Sequence, residues 1–388
     1  MPRVLTSKKA VRFTESVIRE MTRLALRHEA VNLSQGFPDF PAPEALKEAA
    51  VRAIREDVNQ YAVTWGAKAL RDAICRKARR YNGLEADPEK NVTVCCGATE
   101  SMMAALMAVV NPGDEVVVFE PYYENYGPDA ILSGAHPRVV KLRPPEWRYD
   151  PKELARAFNR RTKAVIVNTP HNPTGKVFTR EELLEIGGLC AKWNALAVTD
   201  EVYEHIVYEG RHVSMASLPG MADRTLTVTS LSKTFSVTGW RLGYCIAPAK
   251  ISDAIRKVHD FMTVGAPHPL QVAAAAFMDA PDGLFERLSE EYLQRRETLY
   301  PVLEETGFRP LGRPAGAYYV MCDIGGFKAK DDVAFARRLV EEGGVAAVPG
   351  SSFFRFPRDG RRLLRFAFCK RIETLRAAAG RLRAFARR

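Results

Sequence analysis

The 388-residue sequence has few cysteines and no paired cysteine motif. Its seven cysteines are an odd number and are scattered, and no C-x-x-C pair occurs. This pattern argues against a disulfide framework and against a C-x-x-C metal or redox site. It favours a reducing, cytoplasmic setting. Cys95 and Cys96 are adjacent within an apolar run and are interpreted as part of a buried strand.

Long hydrophobic runs are also absent. No window approaches the ~18–20 uncharged apolar residues of a membrane-spanning helix, and the N-terminal MPRVLTSKKAVRF lacks the apolar core of a signal peptide. We therefore expect a soluble, unexported protein without a membrane partner. With 46% hydrophobic and 27% charged residues, the chain has a globular composition. At roughly 150 residues per domain, its length suits two or three domains.

The charge is unbalanced, with 57 Lys and Arg against 46 Asp and Glu, a net charge of +11. Nucleic-acid binding is one explanation, and the C-terminal RLRAFARR is where it would act. However, these arginines alternate with Leu, Ala and Phe at helical spacing, as on the solvated face of an amphipathic helix. An anionic cofactor and carboxylate substrates would equally suit a basic protein, so we expect no nucleic-acid partner.

Strand-like and helix-like segments alternate between about residue 91 and residue 250. Val- and Thr-rich runs are predicted as strands: NVTVCC, DEVVVFE, PRVVKL, KAVIVN, LAVTDEVY and RTLTVTS. Predicted helices include SMMAALMAVV, ENYGPDAILSG and TREELLEIGGLCAKWNA, where Thr179, Glu181 and Glu182 suit a helix N-terminus. This alternation predicts an α/β domain with a largely parallel sheet, which we place at residues 46–282.

The two ends of the chain differ in texture from this middle part. Residues 283–388 combine a long amphipathic helix with short strands such as AYYVMCDI and LLRFAF, which predicts a smaller α+β domain. Residues 1–45 are predicted to join it. The loop 33–41, rich in Pro and Phe, is a candidate lid. A cleft between the two domains is where a ligand is expected.

The segment Ser230-Leu-Ser-Lys233 and the following TFSVTGWR carry the strongest chemical signal. Lys233 comes directly after a predicted buried strand, and Arg241 lies eight residues later. A phosphorylated aldehyde requires such a pair, because the amine forms an imine and the guanidinium binds phosphate bidentately. A loop lysine at a strand end is the alternative. Lys233 must be neutral to react, and we expect burial beside Arg241 to lower its pKa.

Two polar positions follow neighbouring predicted strands. Asn172 lies in NTPHNPTG after KAVIVN, and Asp200 and Tyr203 end the next strand. The carboxyl ends of parallel strands meet at one sheet edge, where ligands bind. Asp200 could keep a pyridinium nitrogen protonated, and Asn172 and Tyr203 could bond a phenolic oxygen. A Mg²⁺ or Ca²⁺ site is the alternative; we expect no metal, because companion acidic ligands are not recognised nearby.

Three further signals are weaker when taken singly. The loop Gly97-Ala98-Thr99-Glu100 opens a predicted helix, whose N-terminal N–H groups could bind phosphate, although Thr99 could simply be a helix cap. Tyr123 could stack on a pyridine ring or be an ordinary core aromatic. Arg365 stands inside an apolar strand, so a carboxylate partner is expected, either an internal acid or the carboxylate of a substrate.

Together these motifs resemble the class I aminotransferases of pyridoxal-phosphate fold-type I. The family's order is present over roughly residues 30 to 370: SQGFPDF, NQY, GATE, PYYENY, NTPHNPTGK, DEVYEH, SLSKTFSVTGWRLGY and GAYYV, then the late arginine. The resemblance implies a large domain with a mostly parallel seven-stranded sheet plus a small α+β domain from both termini. It also implies pyridoxal 5'-phosphate as cofactor and ping-pong transamination between an L-α-amino acid and a 2-oxo acid.

The resemblance also implies residue roles. Lys233 would be the Schiff-base lysine and proton shuttle, Asp200 would pair with the pyridinium nitrogen, and Asn172 and Tyr203 would hold the O3′ oxygen. The implied phosphate ligands are Ser230, Arg241 and the backbone at Ala98 and Thr99. Tyr123 would stack on the ring, Arg365 would bind the substrate carboxylate, and Gly36 would line the substrate side. Tyr61 would reach the phosphate of a neighbouring subunit, which implies a homodimer with shared active sites.

The substrate is less defined. The sequence looks most like the branch of kynurenine, glutamine and bacterial methionine aminotransferases. Aromatic or thioether side chains are favoured by a set of expected pocket aromatics: Tyr123, Tyr61, Trp65, Phe37 and Phe40. An aspartate-type enzyme would need a second cation, which the sequence does not locate. A C–S β-lyase on the same scaffold remains an alternative. A cofactor-sensing DNA-binding regulator is disfavoured, because 32 leading residues are too few for a winged-helix domain.

Overall fold

The structure is a computed structural model that describes residues 5–7, 9–13, 15–278 and 283–387. The chain ends at residues 1 and 388 and the expected domain boundary at residue 282 lie outside the described residues. Described strands are short and run, in chain order, as β1 (Val31–Asn32), β2 (Val92–Cys95), β3 (Glu115–Glu120), β4 (His136–Lys141), β5 (Thr162–Asn168), β6 (Leu196–Asp200), β7 (Thr225–Ser230), β8 (Gly243–Ile246), β9 (Arg309–Pro310), β10 (Tyr319–Asp323), β11 (Val345–Ala346), β12 (Val348–Pro349) and β13 (Leu363–Ala367).

The α-helices flank these strands. They are α1 (Val17–Arg27), α2 (Glu44–Arg55), α3 (Lys68–Lys77), α4 (Ala98–Val109), α5 (Tyr126–Leu132), α6 (Pro151–Ala157), α7 (Arg180–Trp193), α8 (Leu231–Thr234), α9 (Ala249–Thr263), α10 (His268–Met278), α11 (Leu284–Glu305), α12 (Asp332–Glu341) and α13 (Ile372–Ala386). Among the described parts of the chain, no helix is both long enough and apolar enough to cross a membrane.

Seven strands form the large sheet, in the order β2-β8-β7-β6-β5-β3-β4. The neighbours from β7 to β4 pair in parallel, whereas β8 is antiparallel to both β2 and β7. The expected mostly parallel seven-stranded sheet is therefore confirmed. Reading the runs one by one recovers six of these strands. It misses β8, whose four residues are too few for a clear pattern.

The sheet brings polar residues to one edge because its central strands are apolar on both faces and end in polar residues. All residues of β7 are buried, as are all but one of β5 and of β6. Asn168, Asp200 and Ser230 are the last residues of β5, β6 and β7, and Asn168 is the register partner of Asp200. Parallel alignment therefore places three polar chain segments side by side at the carboxyl edge of the sheet.

The N-termini of α7 and α4 each have a clear physical cause. Thr179 and Glu182 form a capping box, in which each side chain accepts from the other residue's backbone N–H, as the sequence predicts. Gly97 precedes α4 with φ of 85°, a left-handed conformation that favours glycine.

All seven cysteines are free. Cys95 ends β2 in a buried position as expected, but Cys96 lies beyond the strand and is only half-buried.

A second sheet forms near the C-terminus. It is antiparallel, with the order β12-β13-β10-β9, and β13 lies between β12 and β10. The N-terminal strand β1 pairs in parallel with β11, so that the start of the chain packs with its last quarter. Arg365 lies on β13 opposite Met321 of β10 and Val348 of β12. This register carries the arginine to the large sheet's carboxyl edge.

Candidate active site

A cavity of about 440 Å³ opens at the carboxyl edge of the large sheet, facing β13. Eleven of the twelve residues singled out from the sequence line it: Gly36, Ala98, Thr99, Tyr123, Asn172, Asp200, Tyr203, Ser230, Lys233, Arg241 and Arg365. The exception is Tyr61, which lies outside the cavity with 81% of its surface exposed. One chain therefore assembles nearly the whole expected residue set, although its parts lie up to 329 positions apart in sequence.

Lys233 lies on α8, immediately after β7, and its Nζ donates a hydrogen bond of 3.0 Å to the carbonyl of Gly36. Burial lowers the pKa of Lys233 to about 8, with smaller contributions from Arg241 and Arg365 in the same direction. Nearby anionic groups such as Asp200 oppose the shift. The expected lowering is present, but desolvation outweighs the effect of Arg241. The amine is thus mostly charged at neutral pH, but its neutral form is far more accessible than that of an ordinary lysine.

Asp200 ends β6 and is buried against Tyr126, whose Oη donates a 2.6 Å hydrogen bond to Asp200 Oδ2. The backbone N–H of Val202 donates to the other carboxylate oxygen at 3.3 Å. Burial raises the pKa of Asp200, and these two donors oppose the rise. Tyr126 lies in the motif PYYENY, but the sequence analysis assigns it no role. A helix start three residues after Tyr123 was the available signal.

Two further acids follow Asp200 in sequence, contrary to the expectation that companion carboxylates are missing. Glu201 and Glu204 are buried, but neither lines the cavity. Glu201 accepts a 2.8 Å hydrogen bond from Thr199 and lies 2.9 Å from His212 Nε2, while Glu204 pairs with Lys77. Both acids follow the end of β6, and Thr229 of β7 bonds the Glu201 carbonyl and the Glu204 side chain. Their hydrogen bonds and ion pairs form a separate network outside the cavity that holds residues 201–204 in place.

A cradle of donors lies where α4 begins. A Cβ atom built on Gly97 would lie 2.3 Å from Arg241 Nη2, and one on Gly243 would lie 2.4 Å from the Ala98 nitrogen. Only glycine permits this close approach of the guanidinium to the helix N-terminus. The hydroxyl of Ser230 accepts from the Ser232 N–H at 3.0 Å. Helix N–H groups, a guanidinium and hydroxyls fit a phosphate group.

Arg365 is fully buried, with no exposed surface. Its Nη1 donates 2.9 Å to Asn172 Oδ1, its Nη2 donates to the Ser34 carbonyl, and its Nε has no partner. Among the residues that the structure describes, no carboxylate lies within ion-pair distance of it. Of the two partners expected from the sequence, the internal acid is therefore not found in the described chain. The guanidinium keeps its charge without an anion of its own.

Tyrosine side chains close the cavity near Gly36. Tyr203 Oη and Tyr319 Oη lie 2.9 Å apart, and Tyr318 donates 2.9 Å to the Gly36 carbonyl. A Cβ on Gly36 would lie 1.9 Å from Tyr319 Oη, so a larger residue would displace this ring. The sequence reading missed Tyr319, although the paired tyrosines of GAYYV were its signal. They belong to the C-terminal sheet, and only folding brings them to Tyr203.

The expected pocket aromatics divide into two groups. Tyr123 and Phe37 line the cavity, whereas Tyr61, Trp65 and Phe40 do not line it in the described chain. Trp65 packs its ring beneath the guanidinium groups of two arginines, Arg71 and Arg256. At the cavity mouth the structure adds the exposed Arg19 of α1, a second cation that the sequence did not locate.

The loop 33–41 is anchored by its backbone carbonyls. Lys370 Nζ donates 2.7 Å to the Phe37 carbonyl and 3.4 Å to that of Gln35. Asp39 accepts hydrogen bonds from the backbone N–H of Arg371 and the hydroxyl of Thr374. These contacts tie the loop to the segment after β13, so it forms one wall of the cavity. Its closure as a lid stays a prediction.

Comparison with known proteins identifies the family. The aminotransferase class I and II family matches residues 28–382. The chain is 39% identical to the methionine aminotransferase of Escherichia coli, covering 98% of each chain. It is 37% identical to human kynurenine–oxoglutarate transaminase 1, covering 94% of each. The structure of N-succinyldiaminopimelate aminotransferase from Mycobacterium tuberculosis superposes with a TM-score of 0.94 at 38% identity, covering 98% of this chain and 99% of that one.

The family match contains every residue that lines the cavity except Ser16, Ile18 and Arg19, so the relationship applies to the site as well as to the fold. The motif order, the fold-type I architecture and the donor set of the cavity agree on one cofactor and one reaction class. The chain belongs to the class I and II aminotransferase family and is a pyridoxal-phosphate-dependent enzyme that transfers an amino group between an amino acid and a 2-oxo acid.

Proposed function

We propose that the amino donor is an L-amino acid with an aromatic or thioether side chain, or one of the kynurenine or glutamine type. Two observations support this. Relatives of nearly the full length include a methionine aminotransferase and a kynurenine–oxoglutarate transaminase. In addition, the outer wall of the cavity carries Ile18, Phe37 and Tyr123, whose apolar surfaces suit a hydrophobic side chain.

The observation that carries the assignment of an α-amino acid substrate is the buried, unpaired guanidinium of Arg365. An arginine without exposed surface and without a carboxylate within reach in the described chain is costly to maintain. The planar fork of a guanidinium matches a carboxylate, and its Nε is still without an acceptor. Arg365 would therefore bind the α-carboxylate of the substrate, with Asn172 fixing the plane of the fork.

Lys233 is proposed to attach the cofactor and then to move the proton of the substrate Cα. Its Nζ lies in the same cavity as Arg365 and has a pKa of about 8, so a substantial neutral fraction is available as a base. When bound, pyridoxal phosphate supplies the electron sink for the electrons left at Cα. Binding of the carboxylate at Arg365 would hold the substrate Cα in the same cavity as Lys233 Nζ.

The remaining residues are proposed to hold and tune the cofactor. Asp200, buried and bonded by Tyr126, would pair with the pyridine nitrogen and keep it protonated. Asn172 and Tyr203 would bond the phenolic oxygen, Tyr123 would pack on the ring, and Gly36 would border the substrate. The phosphate would be bound by Ala98, Thr99, Ser230 and Arg241.

We also propose a cytoplasmic homodimer with two shared sites. Tyr61 supports the dimer because its ring is 81% exposed and points outside its own cavity, as a residue serving a partner's phosphate would. Seven free cysteines suit a reducing compartment. Division of the chain into an N-terminal segment 1–45, a large domain 46–282 and a small domain 283–388 remains part of the proposal. The pairing of β1 with β11 supports it.

The test is an absorbance titration of purified protein reconstituted with pyridoxal phosphate. We expect a visible band from the lysine-bound cofactor that is absent in Lys233→Ala. Addition of L-methionine, L-phenylalanine or L-kynurenine should convert it to the pyridoxamine form, and the rates should rank the donors. L-Aspartate should react slowly; the fastest conversion with L-aspartate would replace our donor class by the aspartate type.

The C–S β-lyase alternative shares Cα deprotonation and differs in the products. In a single turnover with a β-thio amino acid, a lyase releases pyruvate and ammonia, whereas an aminotransferase leaves pyridoxamine phosphate and a 2-oxo acid. Stoichiometric pyruvate without the pyridoxamine form would overturn our assignment for that donor. Sedimentation of the holoenzyme tests the dimer, and a monomer with full activity would refute shared sites.

A further inference from the structure

Asp129 is an acid inside the cavity to which neither the sequence motifs nor the proposed function assigns a task. It lies on α5, one turn after Tyr126, and is only 4% exposed. The two side chains line the same cavity as Asp200. Next to Asp129 on the same helix, Ala130 belongs to the hydrophobic core. The side chain of Asp129 thus lies where the cavity meets the hydrophobic core.

Asp129 and Asp200 differ in their hydrogen bonds. Asp200 receives donors on both oxygens, from Tyr126 and from the backbone of Val202. Asp129 Oδ2 is buried and has no hydrogen-bond partner among the described residues. Without donors, an ionised carboxylate is costlier to bury than a neutral acid. Burial, with a further contribution from the charge of Asp200, raises the pKa of Asp129 to about 8.

Among the described residues no cation forms an ion pair with Asp129, and Lys9, which reaches the end of α5, is exposed and bonds the Leu132 carbonyl. Asp200 faces it from β6, Tyr123 and Tyr126 come from its own segment, and Lys233 on α8 acts on Asp200. From α4, which packs against α5, the neighbouring side chains are Met102 and Met103, which do not titrate. The strand β4 also packs against α5, and its charged or titratable residues are exposed: His136, Arg138 and Lys141.

We propose that Asp129 is an electrostatic positioning residue of the site. As a neutral acid it places no charge beside Asp200. On releasing its proton to solvent it adds a second anion there. This inference rests on the proposed function, because Asp200 matters through the pyridine nitrogen that it would hold. Like charges at close range resist joint ionisation, so the two carboxyl groups titrate as a coupled pair.

The first measurement uses the cofactor-free protein and urea unfolding between pH 5 and pH 9.5. A carboxyl group whose folded pKa is raised stabilises the fold most below its ordinary value of 3.8 and loses that stabilisation as pH rises towards about 8. We expect the urea midpoint of the wild type to fall over this range. In Asp129→Asn, which keeps the shape of the neutral acid, the fall should be smaller.

The second measurement is the pH titration of the visible band of the holoenzyme. In the wild type, ionisation of Asp129 within the same pH range should broaden the titration, giving an apparent slope below one. Asp129→Asn and Asp129→Ala should both titrate more steeply, as a single group, with a lower midpoint. The lower midpoint follows because the second anion, which favours the protonated band, cannot form.

Asp332→Asn is the matched control. Asp332 is also buried with a raised pKa, but it bonds the Ser351 N–H and lies outside the cavity. It should alter the urea profile and leave the visible titration unchanged. If either readout of Asp129→Asn equals that of the wild type, the proposal is overturned. A visible band with an unaltered titration overturns this inference alone, whereas no band in the wild type overturns the proposed function as well.

Discussion

Arg365 Nη1 donates a 2.9 Å hydrogen bond to Asn172 Oδ1 and so joins the C-terminal sheet to the carboxyl edge of the large sheet. The two residues are 193 positions apart in sequence. Because the amide oxygen is committed to the guanidinium, the Asn172 amide nitrogen remains free to donate into the cavity. One contact thus orients a group proposed to bind the substrate carboxylate and a group proposed to bind the cofactor.

Replacement of Arg365 should mainly affect substrate binding. For Arg365→Gln we expect kcat/KM to fall by about 10²–10³, since a bidentate charged pair is worth roughly 3–4 kcal/mol in the transition state. Arg365→Lys should recover little of this, because it lacks the fork. Arg309→Gln on strand β9 of the same sheet is the control, as it removes an exposed pair with Asp323. Equal losses in the two glutamine variants would contradict the assignment.

The lowered pKa of Lys233 predicts how cofactor attachment depends on pH. Only the neutral amine reacts, so the rate of reconstitution should rise about tenfold per pH unit below pH 8 and level off above it. Stopped-flow absorbance between pH 6 and pH 9.5 measures this. The exposed Lys257→Ala, paired with Asp253, should behave as wild type. A rate that does not vary with pH would show that the amine is not the titrating group.

Loss of the Tyr126 hydroxyl should shift the acid limit of activity. Its 2.6 Å hydrogen bond holds down the pKa of Asp200 against the effect of burial. A hydrogen bond to a charged group contributes roughly 1.5–3 kcal/mol, so Tyr126→Phe should raise that pKa further. The acid limb of the kcat/KM profile should therefore move to higher pH. Tyr149→Phe is the control, because the Tyr149 hydroxyl bonds Glu185 elsewhere in the protein. An identical shift in this variant would refute the explanation.

The buried pair of Lys77 and Glu204 should stabilise the segment that carries Asp200 and Tyr203. Burial alone would raise the pKa of Glu204, but Lys77 and neighbouring histidines more than offset this and hold it at about 2. Removing one partner leaves a buried charge, so Lys77→Met should lower the free energy of unfolding by about 3–5 kcal/mol. Lys68→Met, which breaks an exposed pair with Asp72, should cost under ~1 kcal/mol.

The pH dependence of this pair has a defined sign. Because the pKa of Glu204 is lowered, its stabilisation is present above the ordinary value of 4.5 and is lost as pH falls towards about 2. Urea unfolding between pH 7 and pH 3 should therefore show a steeper loss in the wild type than in Glu204→Gln. Equal slopes in the two proteins would mean that the ion pair does not contribute.

Arg19 should affect the choice of acceptor. It is exposed and lines the cavity, and we expect it to attract the distal carboxylate of a dicarboxylic substrate. An exposed pair contributes about 0.2–1 kcal/mol, so Arg19→Gln should lower kcat/KM for 2-oxoglutarate a few-fold and leave monocarboxylic acceptors unaffected. The control Arg23→Gln lies on the same helix and pairs with Glu15. A uniform loss with all acceptors would exclude this role.

Local sequence patterns determined much of this protein. The apolar runs of β5, β6 and β7 are strands whatever surrounds them, and parallel alignment alone brings Asn168, Asp200 and Ser230 to one edge. The capping box of α7 is likewise encoded within four residues. Lys233 and Asp200 could therefore be selected before any contact was known, because their chemistry depends on following a strand.

Contacts between distant segments were decided only by the tertiary structure. The bond from Tyr126 to Asp200 spans 74 positions and the contact of Tyr203 with Tyr319 spans 116, and neither has a periodic signature. The packing of separate elements decides whether Arg365 has an internal partner and where Arg19 and Trp65 lie. It also leaves Asp129 without a donor. A strand's pattern specifies which face is buried, but the groups that meet there are set by packing between elements.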